Sequence, residues 1–193
     1  MIEHNFPFNS FIGGWYIPET ICDSIIKVFN EQKNQARKGT VFSNGEKIVK
    51  PDFKESTDLA VMVDDDNHPF KDYKDCLQKC MVDYAKKYDD LNNIELIKLV
   101  DGYNIQYYKP NEGFKAWHFE RMSKQTQHRV LVFQTFLNDV DDGGTEFKYQ
   151  KLTVPAKKGL TLIWPGEWTH THRGQISKTK EKYITTGWVG FNE

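Results

Sequence analysis

The chemistry of this chain is predicted from two histidines and one carboxylate in its C-terminal half. His118 and Glu120 flank a single phenylalanine, and His172 follows much further along the chain. In a strand, residues two apart point to the same side, so His118 and Glu120 can address one metal ion. Two imidazoles and one carboxylate hold Fe(II) on one face and leave coordination positions open. The pattern therefore predicts an iron site for oxygen chemistry.

A second histidine competes with His172 for the third ligand position. His170 and His172 are two residues apart, so both can face the same way. We prefer His172, because it directly precedes Arg173-Gly174 and lies ten residues before Lys182. His170 is interpreted as a residue that supports the site or faces the substrate, or as a surface histidine.

Lys182 and a tyrosine are the candidate residues for binding a co-substrate. A lysine near the metal can bind the far carboxylate of a chelating dicarboxylate, although a strand-end lysine often keeps its ammonium in water. A buried ammonium is costly unless a partner is present. Tyr107 and Tyr108 are adjacent, so only one phenol points inward, where it can donate a hydrogen bond to the co-substrate. We choose Tyr108 as that donor.

The bulk composition indicates a globular protein that binds its ligands at a local site. A chain of 193 residues can bury an apolar core without cross-links. We expect one domain over 1–193, with a supporting part at 1–95 and a catalytic core at about 96–193. Twenty-six basic and 27 acidic side chains nearly cancel, which argues against nucleic acid or an anionic membrane as a partner. No oligomeric state is predicted.

The N-terminus and the cysteines predict a soluble, cytoplasmic protein. The first residues lack a basic start followed by an apolar run, and no stretch approaches the roughly 20 apolar residues that span a bilayer. Cys22, Cys76 and Cys80 are odd in number and lack C-x-x-C spacing, so neither a disulfide framework nor a structural zinc site is expected. Cys76 and Cys80 are predicted to be buried on one helix face.

Two helices and a β-rich C-terminal half are predicted to position these residues. Apolar side chains recur at helical spacing from Pro18 to about Gln35 and from about Pro69 to Tyr88. The later sequence has short runs of β-branched and aromatic residues, broken by turn residues. The predicted strands are Asp58–Val63, Ile94–Val100, Tyr103–Tyr108, Arg129–Asn138, Thr145–Tyr149, Leu160–Trp164 and Lys182–Phe191.

This pattern predicts a mainly β fold with flanking helices. Short antiparallel strands must hide their edges, and a cupin-like jelly roll, the double-stranded β-helix, does so with two sheets. Val140–Gly144 is predicted to be a hairpin connection, because Asp and Gly tolerate positive φ. The polar segment Gly39–Glu55 is predicted to be a loop, and a role as a lid over the site is left open.

The segment from Asn104 to Phe191 resembles the prolyl 4-hydroxylase-like branch of the 2-oxoglutarate/Fe(II) oxygenases. The chain departs from the prolyl hydroxylases at Glu120, where they have an aspartate on a stem shorter by one methylene. Other branches of the superfamily use His-x-Glu, so the charge of the site is kept. In chain order, the matching elements are Tyr108, His118-Phe119-Glu120, Leu137-Asn138-Asp139-Val140, Gly143-Gly144-Thr145-Glu146-Phe147, the turn Val154–Gly159, His172-Arg173-Gly174 and Lys182.

The resemblance implies a dioxygenase that hydroxylates an unactivated C–H bond. Fe(II) is implied to bind His118, Glu120 and His172, while 2-oxoglutarate chelates the iron and its far carboxylate binds Lys182. Oxygen is consumed, succinate and CO2 are released, and ascorbate is a candidate reductant. The implied substrate is a peptidyl proline or another protein side chain.

Two other interpretations stay open at this point. A cupin-like barrel can bind a metal or a sugar without oxidative chemistry, because a fold does not fix an activity. An oxygenase of this kind can also modify a small molecule or nucleic acid. Lys182 and Gly143-Gly144 favour the 2-oxoglutarate-dependent enzyme, since a simple metal-binding barrel needs no dicarboxylate anchor.

Overall fold

The computed structural model describes residues 1–43 and 46–191. Within these residues there are two α-helices, α1 (Glu19–Glu31) and α2 (Phe70–Lys87), and neither has the length and apolar character needed to cross a bilayer. The strands are β1 (Ile2–Glu3), β2 (Gly13–Tyr16), β3 (Arg37–Lys38), β4 (Val41–Ser43), β5 (Glu46–Ile48), β6 (Lys54–Glu55), β7 (Thr57–Val61), β8 (Lys98–Tyr108), β9 (Gly113–Phe114), β10 (Arg129–Phe136), β11 (Val140–Phe147), β12 (Leu152–Ala156), β13 (Leu160–Pro165), β14 (His172–Gly174) and β15 (Lys182–Gly190).

Two antiparallel sheets pack against each other. The larger sheet has eight strands in the order β1-β2-β13-β10-β15-β8-β7-β3, and the smaller sheet has the order β12-β11-β14. Alternate side chains of both sheets meet in one apolar cluster, because successive residues of a strand point to opposite faces. Its members include Val132, Phe136, Val140, Phe147, Val154, Leu162, Trp164 and Ile184. This mainly β, two-layer arrangement is the predicted double-stranded β-helix.

Both helices pack on the outer face of the larger sheet, as the sequence predicts. Phe29 of α1 contacts the rings of Tyr107 and Tyr183, with ring centroids 5.7 Å apart in each pair. Cys76 and Cys80 lie buried on the inner face of α2, with free thiols, so the prediction for them is confirmed. The apolar stripe of each helix thus closes a second core cluster on the side of the sheet away from β11.

Strand β8 is longer than predicted, because a predicted break is a bulge within one strand. Only Lys98–Val100 of the predicted strand Ile94–Val100 joins Tyr103–Tyr108 in β8, since residues 94–97 are irregular. The register against β15 shifts next to Gly187. Asp101 and Gly102 have φ of 63° and 71°. Both residues tolerate this conformation better than most, so the same residues that signal a turn serve here as a bulge.

The predicted hairpin at Val140–Gly144 is wrong. These residues belong to β11, which pairs with β12 and β14 of the smaller sheet, whereas β10 pairs with β13 and β15. Gly144 is required by close packing, since a Cβ there would collide with the carbonyl oxygen of Val154. The matching turn Val154–Gly159 also begins later than the resemblance suggests, because Leu152–Ala156 forms β12.

The segment Gly39–Glu55 contains more regular structure than a loop. Strands β4 and β5 pair with each other, and β6 pairs with β9. Asn44 and Gly45, which the same prediction covers, lie outside the described residues. The segment forms one wall of the main cavity.

Candidate metal centre

The three predicted metal ligands converge at one point between the sheets. His118 and His172 form an isolated antiparallel bridge, in which each backbone N–H donates to the other residue's carbonyl oxygen, at 3.0 and 2.8 Å. Their Nε2 atoms lie 3.5 and 3.7 Å from Oε1 of Glu120. One ligand atom from each of the three residues lies within 4.8 Å of the other two. Residues distant in the chain are therefore brought to bonding reach of a single ion.

Both imidazoles are held with Nε2 free to bind a metal. Nδ1 of His118 donates to the carbonyl oxygen of Ala116 at 3.0 Å, and Nδ1 of His172 donates to that of His170 at 2.9 Å. A carbonyl oxygen can only accept, so each Nδ1 carries the proton and each Nε2 presents a lone pair. Burial lowers the pKa of both histidines, for His118 well below its usual range. Neutral imidazole is the form that binds metal ions.

Glu120 is oriented by a contact that the sequence analysis did not predict. Its Oε2 accepts a hydrogen bond of 2.9 Å from Nε1 of Trp188 and lies 3.7 Å from Nη1 of Arg129. Trp188 is partly buried, with its indole N–H turned to the site. Oε1 is left facing the histidines.

Aromatic rings enclose the imidazoles. Phe114 stacks on His118 with ring centroids 3.5 Å apart. Trp164 and His172 pack edge to face with ring centroids 4.9 Å apart. Trp164 is buried in the core. The rings restrict both imidazoles to one orientation and keep water from their outer faces. Phe114 lacked a sequence signal, because its role depends on the pairing of β9 with β6.

Lys182 is a buried cation close to the metal ligands. It is only 4% exposed, and its Nζ donates to the carbonyl oxygens of Gly143 and Gln175 at 3.0 and 2.8 Å. Among the described residues, no carboxylate forms an ion pair with it. Burial lowers the pKa of Lys182 to about 8. The alternative of a solvated strand-end lysine is wrong, and the site is suited to receive an anion.

Tyr107 and Tyr108 point to opposite faces of the sheet, as predicted. Tyr107 lies on the helix side, where its hydroxyl donates to Oε1 of Glu181 at 2.6 Å. Tyr108 is buried on the cavity side beside Lys182, whose Nζ is 5.1 Å from the ring centre. The Tyr108 hydroxyl donates to Oε1 of Gln106 at 2.6 Å. Contact with a co-substrate would compete with that bond, so the donor role of Tyr108 stays a prediction.

His170 lies outside the cluster of His118, Glu120 and His172, and the choice of His172 as the third ligand stays a prediction. Its Nε2 is 2.9 Å from the carbonyl oxygen of Ser10, and its Nδ1 is 3.0 Å from the hydroxyl of Thr169. His170 is buried, so it is not a surface histidine. It supports the site through its backbone, since its carbonyl oxygen holds the ring of His172.

One cavity of about 700 Å³ contains the three ligands together with Tyr108 and Lys182. That volume is typical of a site for a small molecule. Two neutral imidazoles and one carboxylate are the donor set that Fe(II) oxygenases use, and the buried ammonium suits a dicarboxylate. The residues therefore fit Fe(II) and 2-oxoglutarate.

Comparison with known proteins agrees with this chemistry. Residues 103–190 match the family model of the 2OG-Fe(II) oxygenase superfamily, and this segment contains all five of the predicted site residues. The chain is therefore similar to that superfamily over this C-terminal segment. The protein is a 2-oxoglutarate/Fe(II)-dependent dioxygenase with Fe(II) as cofactor and 2-oxoglutarate as co-substrate.

Several solved structures share the fold. The viral collagen prolyl hydroxylase of Paramecium Bursaria Chlorella virus-1, in complex with 2OG, aligns with a TM-score of 0.69 and 16% identity over 93% of this chain and 96% of the other. A Pseudomonas putida prolyl-4-hydroxylase aligns with a TM-score of 0.69 and 10% identity, covering 95% and 94%. A Trichoplax adhaerens prolyl hydroxylase, in complex with a hypoxia inducible factor peptide fragment, aligns with a TM-score of 0.70 and 11% identity over 93% of this chain and 83% of the other. No curated protein matches the chain.

Proposed function

We propose that this protein hydroxylates a C–H bond of a peptide or protein side chain, with peptidyl proline as the first candidate. The observation that carries the proposal is the presence, in one cavity, of three converging ligand atoms and a buried ammonium that forms no ion pair with a carboxylate of the described residues. The overall reaction would consume oxygen and 2-oxoglutarate and release succinate and CO2.

The side chains have separate roles in this proposal. Nε2 of His118, Nε2 of His172 and Oε1 of Glu120 hold Fe(II). The ammonium of Lys182 binds the far carboxylate of 2-oxoglutarate, and Tyr108 lines the same end of the cavity. Once bound, the iron and the co-substrate supply the oxygen activation and hydrogen abstraction that side chains cannot perform. The protein fixes their orientation and excludes water.

A peptide substrate is supported by the shape of the site and by the similar structures. The cavity continues from the metal ligands to residues of the segments 37–42 and 47–53, so an extended chain has room to reach the iron. One similar protein was solved with a peptide fragment bound. The proposal extends this kind of substrate to the present chain.

The first test is succinate formation with Fe(II), 2-oxoglutarate and oxygen, which in this class of enzyme proceeds slowly without the substrate. We expect turnover by the wild type, none by His172→Ala, and a large rise in the KM for 2-oxoglutarate for Lys182→Ala. The exposed neighbour Lys180 provides the control, as Lys180→Ala. If the wild type neither binds nor consumes 2-oxoglutarate, the oxygenase is refuted and a metal- or sugar-binding barrel is favoured.

The second test concerns the substrate. Proline-containing peptides and a small-molecule extract are incubated with the loaded enzyme, and products are analysed by mass spectrometry. The proposal requires one added oxygen atom on a peptide. Oxygen added only to small molecules would refute the peptide assignment and leave the dioxygenase intact.

A further inference from the structure

The cavity is basic, although the whole chain is nearly neutral. The formal net charge of the chain is −1. The acidic residues that line the cavity are Asp58, Asp101 and Glu120. They are outnumbered by basic ones, which are Arg37, Lys38, Lys47, Lys50, Lys54, Arg129 and Lys182.

Some of these cavity charges already have partners in the fold. Lys54 pairs with Asp58 at 2.7 Å, and Nε of Arg129 pairs with Asp101 at 2.8 Å. Glu120 and Lys182 have the roles proposed above. These charges therefore do not explain the basic excess at the mouth.

The remaining four cations line the same cavity and are mostly exposed, and we call them the basic mouth: Arg37, Lys38, Lys47 and Lys50. Among the described residues, no carboxylate forms an ion pair with any of them. Arg37 donates to backbone carbonyl oxygens, and Nζ of Lys50 lies over the ring of Phe53 at 3.7 Å. On α2, by contrast, Lys71 pairs with Asp75 at 2.9 Å.

Like charges placed together at the opening of a site raise the local concentration of an oppositely charged ligand. They also speed its association and make binding depend on salt. Because the basic mouth shares the cavity with the metal ligands and is more exposed than they are, it would contact the parts of a substrate that flank the reacting residue.

We propose that the basic mouth selects peptides with aspartate or glutamate beside the residue that is hydroxylated. This inference rests on the proposed function and names its substrate class. Bound side-chain carboxylates supply the counter-charges that Arg37, Lys38, Lys47 and Lys50 lack within the fold.

A single-stranded nucleic acid fits this mouth less well than an acidic peptide. Such ligands are bound by a basic groove together with open aromatic faces on which bases stack. Here two of the aromatic faces that line the cavity are covered by cations. Lys50 lies over Phe53 at 3.7 Å, and Arg129 lies over Trp188 at 3.5 Å.

The test is selection from a library of randomised peptides with a fixed central proline. The protein is loaded with Mn(II) in place of Fe(II) and with 2-oxoglutarate, so that binding is measured without turnover. We expect enrichment of Asp and Glu near the proline. The affinity of an enriched fluorescent peptide, measured by anisotropy, should fall as salt is raised.

Two triple variants with the same change of charge sharpen the test. The mouth variant combines Lys38→Ser, Lys47→Ser and Lys50→Ser. It should bind the enriched peptide more weakly, on the order of tenfold. The control combines Lys27→Ser, Lys71→Ser and Lys86→Ser on the outer helices and should bind like the wild type.

Four results would overturn the inference. The first is a peptide library without enrichment of Asp or Glu, and the second is an equal loss of peptide affinity in the control variant. The third is tighter binding of oligo(dT) than of any peptide. The fourth is a loss of 2-oxoglutarate affinity in the mouth variant that equals its loss of peptide affinity. The last result would mean that the mouth guides the co-substrate. Selection of acidic peptides without succinate formation would support the basic mouth and refute the oxygenase, so the two failures are distinguishable.

Discussion

The indole N–H of Trp188 donates a hydrogen bond of 2.9 Å to Oε2 of Glu120. Glutamate has one more rotatable bond than aspartate, so a glutamate ligand needs an additional restraint to keep one orientation. Arg129 covers the indole at 3.5 Å, and Arg129 is itself held by Asp101 at 2.8 Å. This series of contacts fixes the carboxylate so that Oε1, and not Oε2, faces the histidines.

Removing the indole donor should weaken metal binding. Trp188→Phe keeps a ring and loses the N–H, and we expect a 10- to 100-fold loss of Mn(II) affinity, the usual effect of losing a partner of a metal ligand. Titration calorimetry measures it. Trp168 is 61% exposed, so Trp168→Phe is the matched control. Equal affinity in the two variants would show that Trp188 does not position Glu120.

Binding of 2-oxoglutarate should weaken as the pH rises above about 8, the pKa of Lys182 in the folded protein. Above that pH the ammonium loses its proton, and with it the charge that attracts the far carboxylate. We expect the dissociation constant, measured anaerobically on the Mn(II) protein, to increase with pH. Lys182→Met should bind weakly at every pH and lack this dependence. A parallel rise in both proteins would place the titrating group elsewhere.

The same lysine should make the folded protein more stable as the pH rises, whereas it weakens the binding of 2-oxoglutarate. Burial lowers the pKa of Lys182 from 10.5 to about 8, so between these values the unfolded chain binds the extra proton. Stability rises with pH wherever the unfolded state binds more protons. Without 2-oxoglutarate, the wild type should therefore gain stability relative to Lys182→Met from pH 8 to 10. Urea unfolding measures the difference, and a flat or falling difference would contradict it.

Two neighbouring histidines should have separable effects. His172→Ala removes a proposed ligand and should abolish Mn(II) binding. His170→Ala keeps the backbone carbonyl that orients His172 and should retain the metal. It leaves the buried carbonyl oxygen of Ser10 without its partner, at a cost of about 1–3 kcal/mol of unfolding free energy. Loss of metal binding in both variants would assign His170 a direct role.

A buried hydroxyl should contribute to the docking of α2. The Tyr73 hydroxyl lies 2.9 Å from Oγ1 of Thr135 and also bonds Thr185 on the neighbouring strand. Tyr73→Phe should lower the unfolding free energy by about 1–3 kcal/mol, because both threonines lose a partner. Metal affinity should not change. Tyr149 is 57% exposed, so Tyr149→Phe should have little effect on either measurement.

The sequence was sufficient for features that depend on local periodicity. The apolar stripes correctly locate both helices. His118 and Glu120 reach the same point although neither lies in a regular strand, because His118 forms only an isolated bridge to His172. Helix α1 ends at Glu31, four residues before the predicted end, because Lys33–Gln35 forms a 3-10 turn.

Other features depend on which strands become neighbours, and the local sequence does not specify this. Gly143 and Gly144 were interpreted as a turn because a missing Cβ suits both a turn and a close approach between strands. The contact of Trp188 with Glu120 joins segments that are far apart in the chain. The burial of Lys182 likewise depends on Gly143 and Gln175, which lie on other segments.

The backbone hydrogen bonds between His118 and His172 hold the two rings together through contacts that do not involve an ion. We therefore expect the metal site to keep its arrangement when the ion is removed. A chelator should remove the ion without unfolding the surrounding sheets. The metal-free enzyme should then rebind a cation at the rate at which that cation loses its hydration water.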